Sequence, residues 1–157
     1  MTLYIDPGTT ESHAVAMDDG QIIALHLAYP NSDMMEYIRE LSGDPEVTEL
    51  TYCSIVAVVI EGITPQGIMG QTTLDTVFWS GRFAQASPDF RIINRQDVKR
   101  FWKARSQYEG NMNDKKIKDA IRELYPDPER DKMLKGKSHC WQAYAMGLMD
   151  WLEKGEQ

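Results

Sequence analysis

Leu3-Tyr4-Ile5-Asp6-Pro7-Gly8-Thr9-Thr10 reads as a short apolar strand that ends on an aspartate and then turns sharply. Leu3, Tyr4 and Ile5 favour extended backbone. Pro7 removes a backbone donor and Gly8 admits a positive φ, so the strand stops at Asp6. A carboxylate at the tip of a buried strand, ahead of a donor-rich Gly-Thr-Thr turn, suits a metal or phosphate site. It suits equally an Asx-turn, in which the side chain bonds the turn amides. Both readings stand on this stretch alone.

A second stretch of the same kind lies fifty residues on. Ile55-Val-Ala-Val-Val-Ile60 is a continuous run of the sort found in strands buried on both faces of a parallel sheet, and it ends in Glu61-Gly62. If the two strands are parallel neighbours, Asp6 and Glu61 stand side by side. Sites in open α/β sheets gather at the carboxyl ends of strands. Two adjacent buried carboxylates repel unless a cation or proton sits between them. Hard oxygen ligands of this kind suit Mg²⁺ or Mn²⁺.

Between these stretches the chain predicts an antiparallel meander. Residues 13–17 form a second strand, Asp18-Asp19-Gly20 a hairpin turn, and residues 21–28 a third strand. Ser32 or Asp33 caps a helix over 34–42, with Met34, Met35, Ile38 and Leu41 at helical spacing. Residues 44–53 read as a polar loop or helix remnant. After Glu61 a Gly-containing loop leads to a helix over 72–86 with two stripes. Leu74, Val77, Gly81 and Ala84 are expected to face the core, with Gly81 allowing close approach to the sheet. Thr72, Thr76, Trp79 and Phe83 form a second, partly aromatic face.

Residues 91–94 make a fifth strand, 95–103 a basic helix, 106–112 a loop, and 114–124 a further helix capped by Asn113 or Asp114 and ended by Pro126 and Pro128. Residues 127–137 read as loop. The last helix runs over 138–153, with Trp141, Ala145, Leu148 and Leu152 on one apolar face. His139 and Gln142 share an edge of its first turn. His139 is either a ligand brought to the rim of the sheet or simply the polar start of the helix. Asp150 lies eleven residues further along, about 16 Å down the axis, too far to share a site with His139.

The 157 residues carry a formal net charge of −7, unevenly spread. Residues 1–90 hold only Arg39 and Arg82 against 13 acidic residues, a net of −11; residues 91–137 hold 14 Lys and Arg against 8 Asp and Glu, a net of +6. One basic face on an acidic body is expected, either a solvated helical surface or, with Trp102 and Tyr108 interleaved, a nucleic-acid contact. The length predicts one domain. No apolar run is long enough to span a membrane. The opening stretch lacks the pattern of a signal peptide, and two cysteines, Cys53 and Cys140, fit neither a disulfide framework nor a zinc motif, so a cytoplasmic setting is expected.

Four passages, in this order, resemble the RuvC family of Holliday-junction resolvases, especially its short bacteriophage members. They are Asp6-Pro-Gly-Thr-Thr, Val59-Ile60-Glu61-Gly62, Thr76-Val-Phe-Trp79-Ser-Gly81-Arg82-Phe83 and Lys137-Ser-His139-Cys-Trp141-Gln-Ala143-Tyr-Ala145. The resemblance implies a ribonuclease H-like α/β fold over 1–157, a mixed five-stranded sheet flanked by helices. It implies that Asp6, Glu61 and His139 are catalytic metal ligands for Mg²⁺ or Mn²⁺, two ions in all. Bacterial members carry a second carboxylate three residues into the last motif, where this chain has Gln142. A neutral amide holds Mg²⁺ more weakly, so Gln142, Glu11 and Asp114 are accessory candidates for the second ion.

The implied activity is metal-dependent endonucleolytic cleavage of branched DNA, four-way junctions first. Arg95, Lys99, Arg100, Lys103, Arg105, Lys115, Lys116 and Lys118 are expected to track phosphates, which gives affinity without sequence information. A junction has two symmetric scissile strands, so a homodimer is expected, with Trp79 and Phe83 at its interface. Two other classes compete. One is a non-catalytic nucleic-acid-binding module on the same scaffold. The other is a nucleotide-binding fold of the actin and sugar-kinase type, which also opens Asp-x-Gly-Thr but needs two such domains and a longer chain.

Overall fold

The computed structural model describes residues 1–42, 57–63 and 69–155. The expectations for residues 44–53, for Ile55 and Val56, and for the middle of the loop after Glu61 fall outside them. Five strands form one mixed sheet: β1 (Thr2–Asp6), β2 (Glu11–Asp18), β3 (Gln21–Pro30), β4 (Ala57–Gly62) and β5 (Phe90–Asn94), in the order β3-β2-β1-β4-β5. The meander β1-β2-β3 is antiparallel, while β4 and β5 add to β1 in parallel. This is the expected mixed five-stranded α/β architecture.

Strand alternation divides the core into two layers. Leu3, Ile5, Ala14, Ala16, Val58 and Ile60 face α1 (Asn31–Leu41) and α2 (Gln71–Ala86), where Met34, Ile38 and Phe83 meet them. Tyr4, Val15, Met17 and Val59 face the other way, against α3 (Arg95–Arg105), α4 (Asp114–Leu124) and α6 (Ser138–Gly155), with Trp102, Ile121 and Met146 filling the layer. Helix α6 lies across β1 and β2 at Gly147. A methyl group there would come within 2.9 Å of the Tyr4 ring and collide with the Met17 sulfur. The close approach expected at Gly81 is therefore made at Gly147, and Gly81 has open space beside it.

Helix α2 reverses its expected faces. Thr76, Phe83 and Ala86 are buried and Trp79 packs with them, whereas Leu74, Val77 and Phe78 are exposed, Phe78 by 57%. Both stripes have helical spacing, so periodicity alone does not choose between them. The Thr76 hydroxyl donates to the Thr72 carbonyl at 2.9 Å and so enters the core without an unmet polar group. With Phe83 buried, the Trp79–Phe83 face is interior, not a subunit contact.

Residues 127–137 are not all loop. Pro128–Met133 form a short helix, α5, started by Asp127, whose carboxylate accepts from the Arg130 amide at 3.0 Å, with Pro128 in the first turn. Arg130 is folded in rather than solvated: it donates to the Tyr125 carbonyl at 2.8 Å and its guanidinium lies 5.3 Å from the Trp141 ring centre. Helix α1 begins at Asn31, ahead of the expected start, because Asn31 is pinned. Its amide donates to the Thr10 carbonyl and its side chain to the Gly8 carbonyl, at 3.0 and 3.1 Å.

Candidate active site

The register builds the site. Ile5 pairs with Ile60 across the parallel β1–β4 ladder, so Asp6 and Glu61 are the next residues on adjacent strands. Asp6 shares parity with Tyr4, and Glu61 with Val59, so both carboxylates point to the α6 face. On the other side of β1, His13 of β2 pairs directly with Asp6. Three adjacent strands thus set His13, Asp6 and Glu61 in a row on one face.

The turn after Asp6 is held without help from that carboxylate. The Gly8 amide donates to Ser12 Oγ at 3.2 Å, and Ser12 Oγ donates to Asn31 Oδ1 at 2.6 Å, both of these side chains being fully buried. Asp6 instead turns to the site. Its Oδ2 lies 2.9 Å from His139 Nδ1, and its carboxyl hydrogen-bonds that of Glu61. The Asx-turn reading of the opening stretch therefore fails, because Ser12 and Asn31 do that work.

Burial and proximity strain the carboxyl pair. Desolvation raises the pKa of Asp6 well above the usual carboxylate range, with the Glu61 hydrogen bond and Arg95 opposing it. Desolvation likewise raises Glu61, Arg95 opposing and the Asp6 charge adding. Each carboxylate thus makes the other harder to ionise, as adjacent buried carboxyls do when no cation lies between them.

His139 stands at the start of α6 above this pair, and the His13 ring stacks on it, centroids 4.8 Å apart and planes 18° from parallel. His13 Nδ1 accepts the Ala28 amide at 3.2 Å, which leaves the proton of the neutral ring on Nε2. Burial, with His139 beside it, holds His13 below the ordinary imidazole range. The sequence offered a signal for His13 in its pairing position across the hairpin from Asp6, but lone histidines in strands are too common to single it out.

Arg95 lies elsewhere than expected. Rather than facing solvent along a phosphate-tracking helix, its guanidinium enters the site. Nη1 donates to Glu61 Oε1 at 2.7 Å and Nη2 donates to Asp114 Oδ1, and the side chain is only 18% exposed. Gln142 Nε2 donates to the other oxygen of Asp114 at 3.1 Å, so Asp114 and Gln142 flank the acidic pair together. Glu11 does not join them: it is exposed at the start of β2, its charge acting on His13.

The other basic residues divide. Lys103 and Lys115 are exposed, and Lys99 and Lys103 line an open groove between α3 and the 110–112 segment, with Gln96, Arg100 and Met112. Arg100 pairs with Asp97, Arg105 stacks on Phe101, Lys116 donates to the Glu109 and Asn111 carbonyls, and Lys118 lies over Trp141. These four are partly engaged by the protein itself.

Among the described residues no three His, Cys, Asp or Glu side chains are gathered ready to hold a metal ion. The donor chemistry nevertheless fits one hard divalent cation at the Asp6–Glu61 pair: two adjacent carboxylates short of counter-charge, with an imidazole bonded to one of them. Cys140 is no competitor, since burial pushes its thiol up to about 11 and keeps it protonated.

No family model and no curated protein sequence matches the chain. Solved structures do. A Thermus thermophilus RuvC structure superposes with a TM-score of 0.59 at 14% identity, covering 99% of this chain and 96% of that one. T. thermophilus RuvC in complex with Holliday junction substrate gives 0.61 at 13% identity, over 99% and 95%. At this identity the likeness shows the fold, which is RuvC-like.

Proposed function

We propose that the protein is a metal-dependent endonuclease for branched DNA, acting on four-way junctions first and related to the short RuvC-like enzymes of bacteriophages. The observation that supports this best is the pair of buried carboxyls, Asp6 and Glu61, at the carboxyl ends of neighbouring parallel strands. Nothing in the packing requires two acids there, and their raised pKa values mark them as held at a cost. The RuvC-like fold, seen with a Holliday junction in the T. thermophilus protein, supports the substrate class.

Asp6 and Glu61 would hold the ion between them, and His139, fixed in plane by His13, would complete its protein ligands. A bound Mg²⁺ or Mn²⁺ supplies an activated water and a positive charge for the phosphate. Lys99, Lys103 and Lys115 bind neighbouring phosphates and set the register of the strand over the acidic pair. A four-way junction presents two symmetric strands, so two copies act together. The exposed α2 face of Leu74, Val77 and Phe78 offers an apolar surface for that pairing.

A second reading, a binding module that does not cut, is favoured by one observation: Arg95 already neutralises part of the acidic cluster. Labelled junction, flap and duplex DNAs, incubated with Mg²⁺ and with Mn²⁺, separate the two. Metal-dependent scission of the junction supports the nuclease. Junction binding with no scission in either metal supports the binding module.

A further inference from the structure

We propose that Arg95 is the built-in second cation of the site, so that the centre takes one divalent ion and not the two that the family resemblance implies. This rests on the metal-dependent reading above.

Arg95 opens α3 directly after β5, and the β4–β5 register sets Asn94 beside Gly62. The guanidinium is therefore delivered to the tip of β4 by the sheet itself. Its fork bridges Glu61 Oε1 and Asp114 Oδ1, while Gln142 fills the remaining oxygen of Asp114. The groups that would serve a second ion on the Glu61 side, namely that glutamate oxygen, the aspartate and the amide, are all committed to Arg95 or to each other. A planar, permanently charged fork matches two carboxylates in a way a lysine cannot.

Charge balance points the same way. Asp6, Glu61 and Asp114, fully ionised, carry three negative charges. Arg95 and one divalent ion neutralise them, whereas Arg95 and two divalent ions leave an excess of two positive charges in a largely buried site. Two of the five guanidinium donors are used on carboxylates, which leaves the fork able to reach a phosphate oxygen as well.

The test is isothermal titration of the DNA-free protein with MnCl₂, on the parent, Arg95→Ala, Arg95→Lys and the double variant Arg95→Ala/Asp114→Asn, with circular dichroism to confirm folding. One Mn²⁺ per chain is expected for the parent and for Arg95→Lys, two for Arg95→Ala, and one again when Asp114 is also removed. Two ions in the parent overturn the proposal, as does an Arg95→Ala protein that stays at one ion with unchanged affinity. If Arg95→Ala does not fold, the parent count decides: one supports, two overturns. Cleavage is scored separately. Junction cleavage by a two-ion parent keeps the nuclease reading and rejects the role of Arg95. The expected counts without any cleavage do the reverse, and no ion bound by any of the proteins rejects both.

Discussion

Replacing Asp150 with Asn should loosen the clamp that fixes the candidate site from its far end. Asp150 is 5% exposed and accepts from Tyr4 Oη at 2.8 Å, from both Arg91 Nη atoms at 2.6 and 2.7 Å, and from Lys154 at 3.0 Å. These bonds join α6, β1 and β5, the elements that carry or lead into His139, Asp6 and Arg95. Against the cost of burial, the bonds from Arg91, Tyr4 and Lys154 hold the Asp150 carboxyl down to about 2, from 3.8. At pH 7 that difference contributes about 2 kcal/mol of stability. The folded pKa lies below the unfolded one, so the contribution is present above pH 3.8 and is lost as pH falls through about 2. Roughly half of it is gone by pH 3. Asp150→Asn should therefore lower stability by about 2 kcal/mol at pH 7, or Tm by about 5 °C, and by only about 1 kcal/mol at pH 3. Asp150→Ala should cost ~1–3 kcal/mol more, because it strands the buried Tyr4 hydroxyl. Arg91 adds little to this, since at 40% exposure it keeps water. Urea denaturation followed by circular dichroism at both pH values measures the difference. A parent–variant gap that stays the same or widens at pH 3 refutes the reasoning.

Three further outcomes bear on function. Asp6→Asn and Glu61→Gln should each abolish cleavage, read on labelled junctions, while junction binding stays intact or tightens. Glu61→Gln should also stabilise the metal-free protein by about 1–2 kcal/mol, read as a higher melting temperature, because the amide donates to Asp6 and removes one of the two crowded buried carboxylates. His139→Ala should remove cleavage from a folded protein and His139→Asp should retain it, with preference moving from Mn²⁺ to Mg²⁺; equal rates for parent and alanine variant on folded samples would take His139 out of the site. Lys99→Gln/Lys103→Gln should weaken DNA binding across all sequences and reduce the slope of log K against log salt by about 2, read by fluorescence anisotropy.

The meander and the two acidic strand tips were legible because these strands carry their signal locally. Each acidic strand is a short apolar run that ends in a carboxylate and a glycine, and parallel pairing then forces Asp6 beside Glu61. Helix α2 was not legible in the same way. Leu74, Val77 and Phe78 are more hydrophobic than Thr76, and only the tertiary position of the helix against α1 and β4 reveals which stripe is inside. The short helix at Pro128 was readable from Asp127-Pro128-Glu129, a capping residue followed by proline, but charge made the segment look solvated. Arg95 was misplaced for a related reason. Its neighbours Lys99, Arg100 and Lys103 share its charge, and composition does not show that the first residue of a helix points back over the sheet. His13 depends on cross-strand register, which appears only when the hairpin is built.

The order of strands also has a consequence for how the protein comes into being. The β1-β2-β3 meander uses neighbours in the chain and can close early, but β4 must find β1 across the whole of β2, β3 and α1. Helix α6, which supplies the imidazole, docks across β1 and β2 only when nearly every described residue has been made. During synthesis, a nascent chain can therefore expose Asp6, or even the Asp6–Glu61 pair, without the rest of the site. The candidate site is complete only once α6, the last helix among the described residues, seats on β1 and β2.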